Sequence, residues 1–480
     1  MAEPTHIMPL TVSLLPLLLL LSIANGVHCF EEKKVFFMNK FQWKQLSNAP
    51  RCLPQKSRSE NDATILEMKH RDYCFGTIKN WEEKLQKRII SDNSRVKSLQ
   101  SRIRRAVSSR MKDQSETQIP ITSGINLQTL NYIVTVELGG KKMMVIVDTG
   151  SDLTWVQCQP CKSCYDQQDP LFNPTISSSY QSILCNSSTC QSLESTTGNS
   201  GVCGTEQPTC NYIVNYGDGS YTRGDLGHEL LNLGTTSVED FIFGCGRNNK
   251  GLFGGAAGVM GLGKSDLSLV SQTSTQFGGV FSYCLPSTEA DDASGSLILG
   301  GDSSVYKNST PISYTKMISS IQLSNFYFLN LTGVSIGDVA LQATGFGKDG
   351  IIIDSGTVIT RLAPSVYRAL RAEFLKQFSG FPPAPSYSIL DTCFNLSGYE
   401  EVNIPTLRMN FEGAVEVNVD VSGMFYFVKT DASQVCLAVA SLSYEDEVGI
   451  IGNYQQKNLR IVYDSKESKL GFAEEPCSFT

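Results

Sequence analysis

Two segments of the chain place an aspartate, a hydroxyl residue and a glycine directly after a run of apolar residues. Segment 143–151 reads MMVIVDTGS, and segment 350–357 reads GIIIDSGT. Two carboxylates held a few ångströms apart can share one proton, because repulsion between like charges raises the pKa of one of them. One carboxylate can then accept a proton from water while the other donates one to a carbonyl oxygen. Asp148 and Asp354 therefore predict amide hydrolysis by an activated water, with the two roles left unassigned.

The duplication extends beyond the two aspartates. An apolar Gly-x-x-Gly segment follows each of them, 110 residues after Asp148 at 258–261 and 95 residues after Asp354 at 449–452. A single Asp-Thr-Gly tripeptide is weak evidence, since about 0.1 are expected by chance in such a chain and an aspartate there is commonly an ordinary turn residue. Two copies in the same context favour two related halves that each contribute one acid.

The residues next to the aspartates are suited to a crowded centre. We expect Gly150 and Gly356 to permit a positive φ and a close approach of two backbones. We also expect hydroxyl groups to hydrogen-bond the carboxylates or the facing loop. These hydroxyl groups belong to Thr149, Ser151, Ser355 and Thr357.

The elements that must position these residues are mostly strands. Alternating and β-branched residues at 132–138 and 143–147 predict two strands joined by a glycine turn, and short β segments continue to the C-terminus. Residues 364–377 predict a helix in the second half. Apolar spacing predicts helix over much of 62–112, and the polar, turn-rich residues 295–310 predict a crossing between the halves. The fold class is mostly β and bilobal, with the site in the cleft between two related lobes.

Charge and hydropathy divide the chain into segments. An apolar stretch near the N-terminus predicts a signal peptide over 1–28. Residues 30–118 carry a net charge of +9, whereas 119–480 carry −15. We name residues 29–118 the leader, and we expect it to be a partly helical prosegment that lies on the acidic body at neutral pH and loosens in acid. The two lobes are predicted at 119–305 and 306–480, with processing between about 106 and 120.

The cysteines indicate an oxidising compartment. Of the 15 cysteines, twelve lie between Cys158 and Cys477. The count after the leader is even, and an even set in a chain with a signal peptide predicts a disulfide framework, although the cluster that begins at Cys158 would resemble zinc ligands in a cytosolic protein. Potential N-glycosylation sites stand at Asn186, Asn308, Asn330 and Asn395. We expect a secreted product, in the apoplast or vacuole, without a membrane anchor.

The motifs resemble those of the pepsin-family aspartic proteases, and more closely those of the plant nepenthesin-type branch, over residues 119–480. The resemblance implies that Tyr216, in the segment YGDGS, is the lid residue of a flap hairpin over the substrate and that Trp155 packs beside it. The alternating residues around this glycine-rich turn favour a hairpin independently. His70-Arg71-Asp72 is similar to a prosegment motif of plant relatives, whereas Gly139-Gly140-Lys141-Lys142 departs from the usual turn.

The resemblance also implies a set of disulfide bridges that spacing alone does not determine. The implied pairs are Cys158–Cys161, Cys164–Cys245, Cys185–Cys210, Cys190–Cys203, Cys284–Cys477 and Cys393–Cys436. It further implies protein or peptide substrates, the leader as an intramolecular inhibitor, no cofactor, no metal and a monomer.

Four other functions compete with this hypothesis. Only His228 remains in the body of the chain, which disfavours proteases with a histidine base and multi-histidine zinc hydrolases. Nucleic-acid binding through the basic leader is disfavoured by the acidic body. A catalytically silent relative that binds or inhibits secreted glycosidases remains the main alternative, because a fold does not by itself determine function.

Overall fold

The computed structural model describes most of the chain after residue 32. The described residues are 33–38, 54–71, 81–108, 132–205, 208–216, 219–251, 253–287, 294–306, 309–319, 325–343, 346 and 350–479. The predicted signal peptide and the part of the predicted processing region after residue 108 lie outside them, as do Asp72 and Asn308. No helix in the described ranges is both long enough and apolar enough to cross a membrane.

The leader contributes three strands and one long helix. They are β1 (Lys33–Phe37), β2 (Ser57–Glu60), β3 (Ala63–His70) and α1 (Trp81–Ser108). The helix prediction for 62–112 is therefore right for α1 and wrong for 63–70. Strand β3 is extended because it pairs with β2 on one side and with a strand of the body on the other, so tertiary pairing overrides local helical preference.

Strands are the main regular elements in the first half of the body. In chain order they are β4 (Tyr132–Leu138), β5 (Lys141–Asp148), β6 (Trp155–Gln157), β7 (Gln181–Ser182), β8 (Val202–Cys203), β9 (Cys210–Asn215), β10 (Tyr221–Leu233), β11 (Thr236–Lys250), β12 (Gly258–Gly261), β13 (Val280–Cys284) and β14 (Gly295–Leu299). Four short helices are α2 (Ser188–Gln191), α3 (Leu193–Thr197), α4 (Leu269–Gln272) and α5 (Ser274–Phe277). The predicted hairpin of β4 and β5 is confirmed, and its turn uses Gly139 and Gly140 at positive φ.

The second half repeats this character. Its strands are β15 (Ser313–Ile318), β16 (Phe328–Leu329), β17 (Leu331–Ile336), β18 (Val339–Ala340), β19 (Ile351–Ile353), β20 (Thr360–Leu362), β21 (Pro383–Ala384), β22 (Cys393–Phe394), β23 (Glu401–Pro405), β24 (Leu407–Phe411), β25 (Val415–Asn418), β26 (Phe425–Phe427), β27 (Val435–Leu437), β28 (Val439–Ser441), β29 (Gly449–Ile451), β30 (Leu459–Asp464) and β31 (Lys469–Glu474). The predicted helix is confirmed as α6 (Pro364–Gln377), which begins with proline at a position where a missing N–H has no cost.

The duplicated sequence corresponds to a duplicated strand arrangement. Strand β5, which ends at Asp148, runs parallel to β12, and β19, which precedes Asp354, runs parallel to β29. Glycine is required beside each active-site loop, because a Cβ at Gly261 would overlap the backbone of Asp152 and one at Gly452 would overlap that of Val358. The second motif of each half therefore supports the loop that carries the aspartate.

The halves and the leader share one sheet and one core. Strand β3 lies between β14 and β2, β14 pairs with β13, and β13 pairs with β30 of the second half. Residues 295–299 are thus a fully buried strand, and the prediction of a polar crossing there is wrong for these five residues. Leu66 and Met68 of the leader belong to the same apolar cluster as Phe281 and Tyr463. The leader is therefore an integral part of this folded state.

All twelve cysteines of the body form disulfides, and four of the six implied pairs are wrong. The observed bridges are Cys158–Cys245, Cys161–Cys164, Cys185–Cys203, Cys190–Cys210, Cys284–Cys477 and Cys393–Cys436. The first four replace the implied Cys158–Cys161, Cys164–Cys245, Cys185–Cys210 and Cys190–Cys203. The cause can be seen at Cys158. Strand β6 runs parallel to β11, so Cys158, which directly follows β6, lies beside Cys245 of β11 and bonds to it.

Candidate active site

The loops after β5 and β19 meet at the boundary between the two halves and hold each other symmetrically. The backbone N–H of Thr149 donates to the Ser355 hydroxyl at 3.1 Å, and the backbone N–H of Ser355 donates to the Thr149 hydroxyl at 2.9 Å. The hydroxyl of Thr149 also donates to that of Ser355 at 3.3 Å. All of these atoms are buried, so the pairing is protected from competition by water. This reciprocal contact fixes the spacing between the two aspartates.

Each aspartate has the same pair of hydrogen-bond donors within its own loop. Asp148 accepts from the Ser151 hydroxyl at 2.7 Å and from the Gly150 N–H at 3.1 Å. In the second half, Asp354 accepts from the Thr357 hydroxyl at 2.6 Å and from the Gly356 N–H at 2.9 Å. Both carboxylates are almost fully buried, at 2% and 0% exposure. The structure brings together the aspartates, hydroxyls and glycines that the sequence analysis singled out. Their arrangement is equivalent in the two halves.

The two loop glycines are required for space and not for backbone conformation. Neither Gly150 nor Gly356 has a positive φ, contrary to the sequence expectation. A Cβ at Gly150 would lie 2.7 Å from a carboxylate oxygen of Asp354, and a Cβ at Gly356 would lie 2.5 Å from one of Asp148. Any side chain here would separate the two acids.

An arginine of the leader lies between the two aspartates. The Nη2 atom of Arg95 is 2.6 Å from Oδ1 of Asp148 and 2.8 Å from Oδ1 of Asp354. Its Nε atom donates to Oδ2 of Asp354 at 2.9 Å, and Nη1 is 3.4 Å from Oδ2 of Asp148. One guanidinium therefore contacts all four carboxylate oxygens. Because a single nitrogen contacts both Oδ1 atoms, the two acids are close neighbours.

Arg95 and Asp148 each have a shifted protonation equilibrium. Burial alone would raise the pKa of Asp148, but Arg95 and the hydrogen bonds from Ser151 and Gly150 outweigh it, so this pKa lies below its ordinary value. Burial alone would also lower the pKa of Arg95, and the two carboxylates raise it well above the ordinary value instead. In this structure the charged guanidinium is therefore paired with the carboxylates of the site.

Helix α1 holds Arg95 in place through an apolar stripe. Its buried side chains pack against the second half of the body, in two clusters on either side of the arginine. These side chains are Leu85, Ile89, Val96, Leu99 and Ile103. Farther along the helix, the Gln100 amide donates to the Val448 carbonyl at 2.6 Å and accepts from its N–H at 3.0 Å. The sequence analysis identified the helix and missed Arg95. The charged residues at 92 and 95 interrupt the apolar stripe of the helix, and such an interruption can indicate a polar side chain that reaches a functional site.

The candidate flap residue lies beside the first active-site loop. Tyr216 follows β9 and precedes β10, and the Trp155 indole N–H donates to its hydroxyl at 2.6 Å. Phe253 packs edge-on against both rings, at centroid distances of 4.9 Å from Trp155 and 5.7 Å from Tyr216. The hairpin tip at 217–218 lies outside the described residues. The predicted proximity of Tyr216 and Trp155 is present in the structure.

For the amide hydrolysis that the two aspartates predict, replacing Tyr216 with phenylalanine is expected to lower kcat/KM about tenfold or more. The change removes the acceptor of a buried indole N–H, and an unmet buried donor costs about 1–3 kcal/mol. Steady-state kinetics on a quenched fluorescent peptide would measure the effect. Tyr221→Phe is the matched control. Among the described residues the hydroxyl of Tyr221 hydrogen-bonds only Asn248, at 3.3 Å, so its loss should leave the rate nearly unchanged.

Other predicted sites are placed as follows. His228 lies in β10 with its Nδ1 atom 3.1 Å from Asp240, on a different strand from the aspartates. Among the described residues, no group of three or more metal-ligating side chains is close enough to hold a metal ion. Of the glycosylation candidates, Asn186 is exposed and Asn330 and Asn395 are partly exposed.

Comparisons with known proteins agree with this architecture. The family described as "Xylanase inhibitor N-terminal" matches residues 132–301, and the one described as "Xylanase inhibitor C-terminal" matches 326–474. An aspartyl protease family protein of Arabidopsis thaliana is 42% identical over 394 residues, 81% of each chain. Aspartic proteinase nepenthesin-1 of Nepenthes gracilis is 36% identical over 358 residues, 72% of this chain and 78% of that protein.

Solved structures share the fold at lower sequence identity. Basic 7S globulin from soybean matches with a TM-score of 0.56 and 20% identity, covering 72% of this chain and 93% of that chain. Conglutin gamma from lupine seeds matches with a TM-score of 0.56 and 17% identity, covering 72% and 92%. With the two aspartate loops, the duplicated strands and these relatives together, the chain belongs to the pepsin-like aspartic proteases, in the plant branch that includes the nepenthesins.

Proposed function

We propose that this protein is a secreted aspartic endopeptidase, made as a zymogen, that hydrolyses peptide bonds of proteins at acidic pH. The observation that carries the proposal is the arrangement of Asp148 and Asp354, each held by a hydroxyl and a backbone N–H within its own loop. Six disulfide bridges support passage through the secretory pathway, because such frameworks persist in oxidising compartments.

The chemistry requires one proton between the two acids. After Arg95 leaves, the like charges of Asp148 and Asp354 can no longer both persist at low pH, and the pair takes up a proton. The ionised member accepts a proton from water while the protonated member donates to the scissile carbonyl oxygen. The attacking water and the carbonyl form a tetrahedral diol, and proton transfer to the amine completes cleavage. Substrates bind extended beneath Tyr216, with backbone hydrogen bonds along the cleft.

The leader acts as the intramolecular inhibitor in this proposal. The docked state holds Asp148 with a lowered pKa, so its contribution to docking is full above the ordinary value of 3.8 and is lost as the pH falls through the lowered value. Acid therefore weakens the contact between Arg95 and the aspartates, while near-neutral pH preserves it. The attraction between the basic leader and the acidic body also weakens in acid, because carboxylates of the body take up protons.

Acid treatment of the purified full-length chain is the direct test of the function. We expect cleavage of a denatured protein substrate at about pH 3–4, decreasing towards pH 7 as the shared proton is lost. A statine-type peptide should abolish the cleavage, and chelators should not affect it. Retention of cleavage in the presence of the statine peptide would assign the activity to another enzyme or mechanism.

The family descriptions favour a second candidate, a silent protein that binds secreted glycosidases. Its supporting observation is the match to families described as xylanase inhibitors over 132–301 and 326–474. The complete set of aspartates, hydroxyls and glycines favours the protease instead. A binder should form a stable complex with a secreted xylanase and show no proteolysis after acid treatment, whereas the protease should show the reverse.

A further inference from the structure

A second charged residue of the leader fills a polar pocket next to the two aspartates. Asp92, one turn before Arg95 on α1, is fully buried. Its Oδ1 atom accepts from the Val358 N–H at 2.5 Å, and its Oδ2 atom lies 2.7 Å from Nη2 of Arg361 and 3.4 Å from the Ile359 nitrogen. Three donors of the body thus converge on one carboxylate of the leader. We name these donors the carboxylate pocket: the N–H groups of Val358 and Ile359 and the guanidinium of Arg361.

The carboxylate pocket adjoins the second active-site loop. Its residues directly follow the second active-site loop, and Arg361 stands seven residues after Asp354, as Trp155 stands seven residues after Asp148. The internal repeat therefore places an aromatic residue beside the flap in the first half and a cation in the second half. Beyond Asp92, the guanidinium of Arg361 donates only to the Ile359 carbonyl, at 3.1 Å, among its hydrogen bonds to described residues.

Departure of the leader leaves the guanidinium of Arg361 without its carboxylate partner. Arg361 is 1% exposed, and burial lowers the pKa of its guanidinium despite the neighbouring Asp92. Burial likewise raises the pKa of Asp92, although Arg361 and, more weakly, Arg95 act against this shift. A buried guanidinium that loses its carboxylate partner is strongly disfavoured. The vacated pocket is therefore suited to a second carboxylate.

We infer that in the activated enzyme this pocket binds an acidic side chain of the peptide substrate, with Asp92 occupying its place in the zymogen. This inference rests on the function proposed above. Asp92 and Arg95 are three residues apart on a helix, which places the pocket roughly 5 Å from the two aspartates along the helix axis. An extended peptide advances about 3.3 Å per residue, so the acidic residue lies within about two positions of the scissile bond.

The test is a set of quenched fluorescent peptides that carry glutamate at each of three positions on either side of the scissile bond, each matched by a glutamine peptide. They are assayed with the acid-activated full-length preparation between pH 3 and pH 5.5. At one position, the ratio of kcat/KM for glutamate over glutamine should reach about tenfold at pH 5.5, since hydrogen bonds to charged groups are the strong ones. The ratio should approach one at pH 3, because a free glutamate protonates near pH 4.3 and binding to Arg361 requires the charged form.

Three variants separate the pocket from the leader. Arg361→Met should reduce the ratio to about one at every pH while the glutamine peptide is still cleaved. The double variant D92N/R361M gives the same test without a buried unpaired aspartate in the zymogen. D92N alone changes only the leader, so its activated form should keep the full preference. A ratio near one at all positions in the unmodified enzyme, or a full ratio in the Arg361→Met variant, would overturn the inference.

Failure of the proposed function is recognised separately. If none of the peptides is cleaved, the leader can still fill the pocket, so peptide binding is tested by fluorescence anisotropy at pH 5.5 with the D92N variant, in which Arg361 has lost its carboxylate partner. A glutamate preference in binding that is present in D92N and absent in D92N/R361M would support the pocket although the protease proposal had failed. The absence of any such preference would reject both.

Discussion

Asparagine in place of Asp148 or of Asp354 is expected to reduce peptide hydrolysis by at least a thousandfold. An amide cannot accept the proton of the attacking water or supply one to the carbonyl oxygen, and general acid and base catalysis contribute about 10²–10⁴-fold each. The substitution is nearly isosteric, so the hydrogen bonds from Ser151 or Thr357 can be retained by the amide oxygen. Single-turnover and steady-state assays at the pH optimum would measure the loss.

The folded state of these variants should persist. Arg95 keeps one carboxylate partner in either single variant, and circular dichroism and thermal unfolding should report a native-like zymogen. Asp225→Asn serves as the matched control, because Asp225 pairs with Arg247 across the strands β10 and β11 and, among the described residues, makes no hydrogen bond to the active-site loops. Activity above one per cent of wild type in either dyad variant would exclude a mechanism that needs both acids.

Removal of the Arg95 guanidinium is the second change with a large expected effect. The variant Arg95→Met should hydrolyse peptides at pH 5 without prior acid treatment and should activate at least tenfold faster at pH 3. Loss of one partner from a buried ion pair costs about 3–5 kcal/mol, more than a hundredfold in the docking equilibrium. Part of this free-energy cost is recovered, because one of the two aspartates can take up a proton once the guanidinium is absent. Progress curves of peptide cleavage from freshly diluted protein would measure both effects.

Two control variants are needed to interpret the activation kinetics of Arg95→Met. Arg104→Met removes a contact of the same helix with Glu447 in which the arginine is 55% and the glutamate 9% exposed. Pairs that reach solvent contribute about 0–1 kcal/mol, so activation should change far less than in Arg95→Met. The double variant R95M/D148N should be inactive at every pH, which distinguishes a leaking zymogen from contamination. A latent Arg95→Met protein with wild-type activation kinetics would refute the role of Arg95 as the inhibitory group.

The sequence predicted the parts of the site that depend on local pattern. Asp148 and Asp354 each follow a buried strand and precede a tight turn, a combination that can be recognised from apolar residues and glycine alone. Local pattern also identified helix α6 and the β4–β5 hairpin. It failed for β3, because the extended form of 63–70 depends on neighbours that are distant in the chain.

The disulfide pairing was beyond the reach of sequence for a similar reason. Eight cysteines between Cys158 and Cys245 allow many pairings, and the family resemblance implied four wrong ones. Cys158 bonds to Cys245 because the parallel strands β6 and β11 bring the two residues side by side. Cys203 and Cys210 face each other across β8 and β9, yet they bond to Cys185 and Cys190. Spacing along the chain does not encode which strands become neighbours.

The sequence by itself determined which groups meet at the candidate site, namely two acids with their hydroxyl and glycine neighbours, and that a basic segment precedes them in the chain. The tertiary structure alone decided that Arg95 lies between the acids and that Asp92 lies against Arg361. These contacts join residues separated by between 53 and 269 positions. They form because helix α1 buries its apolar stripe on the second half of the body, and that burial determines which polar side chains of the helix reach the cleft.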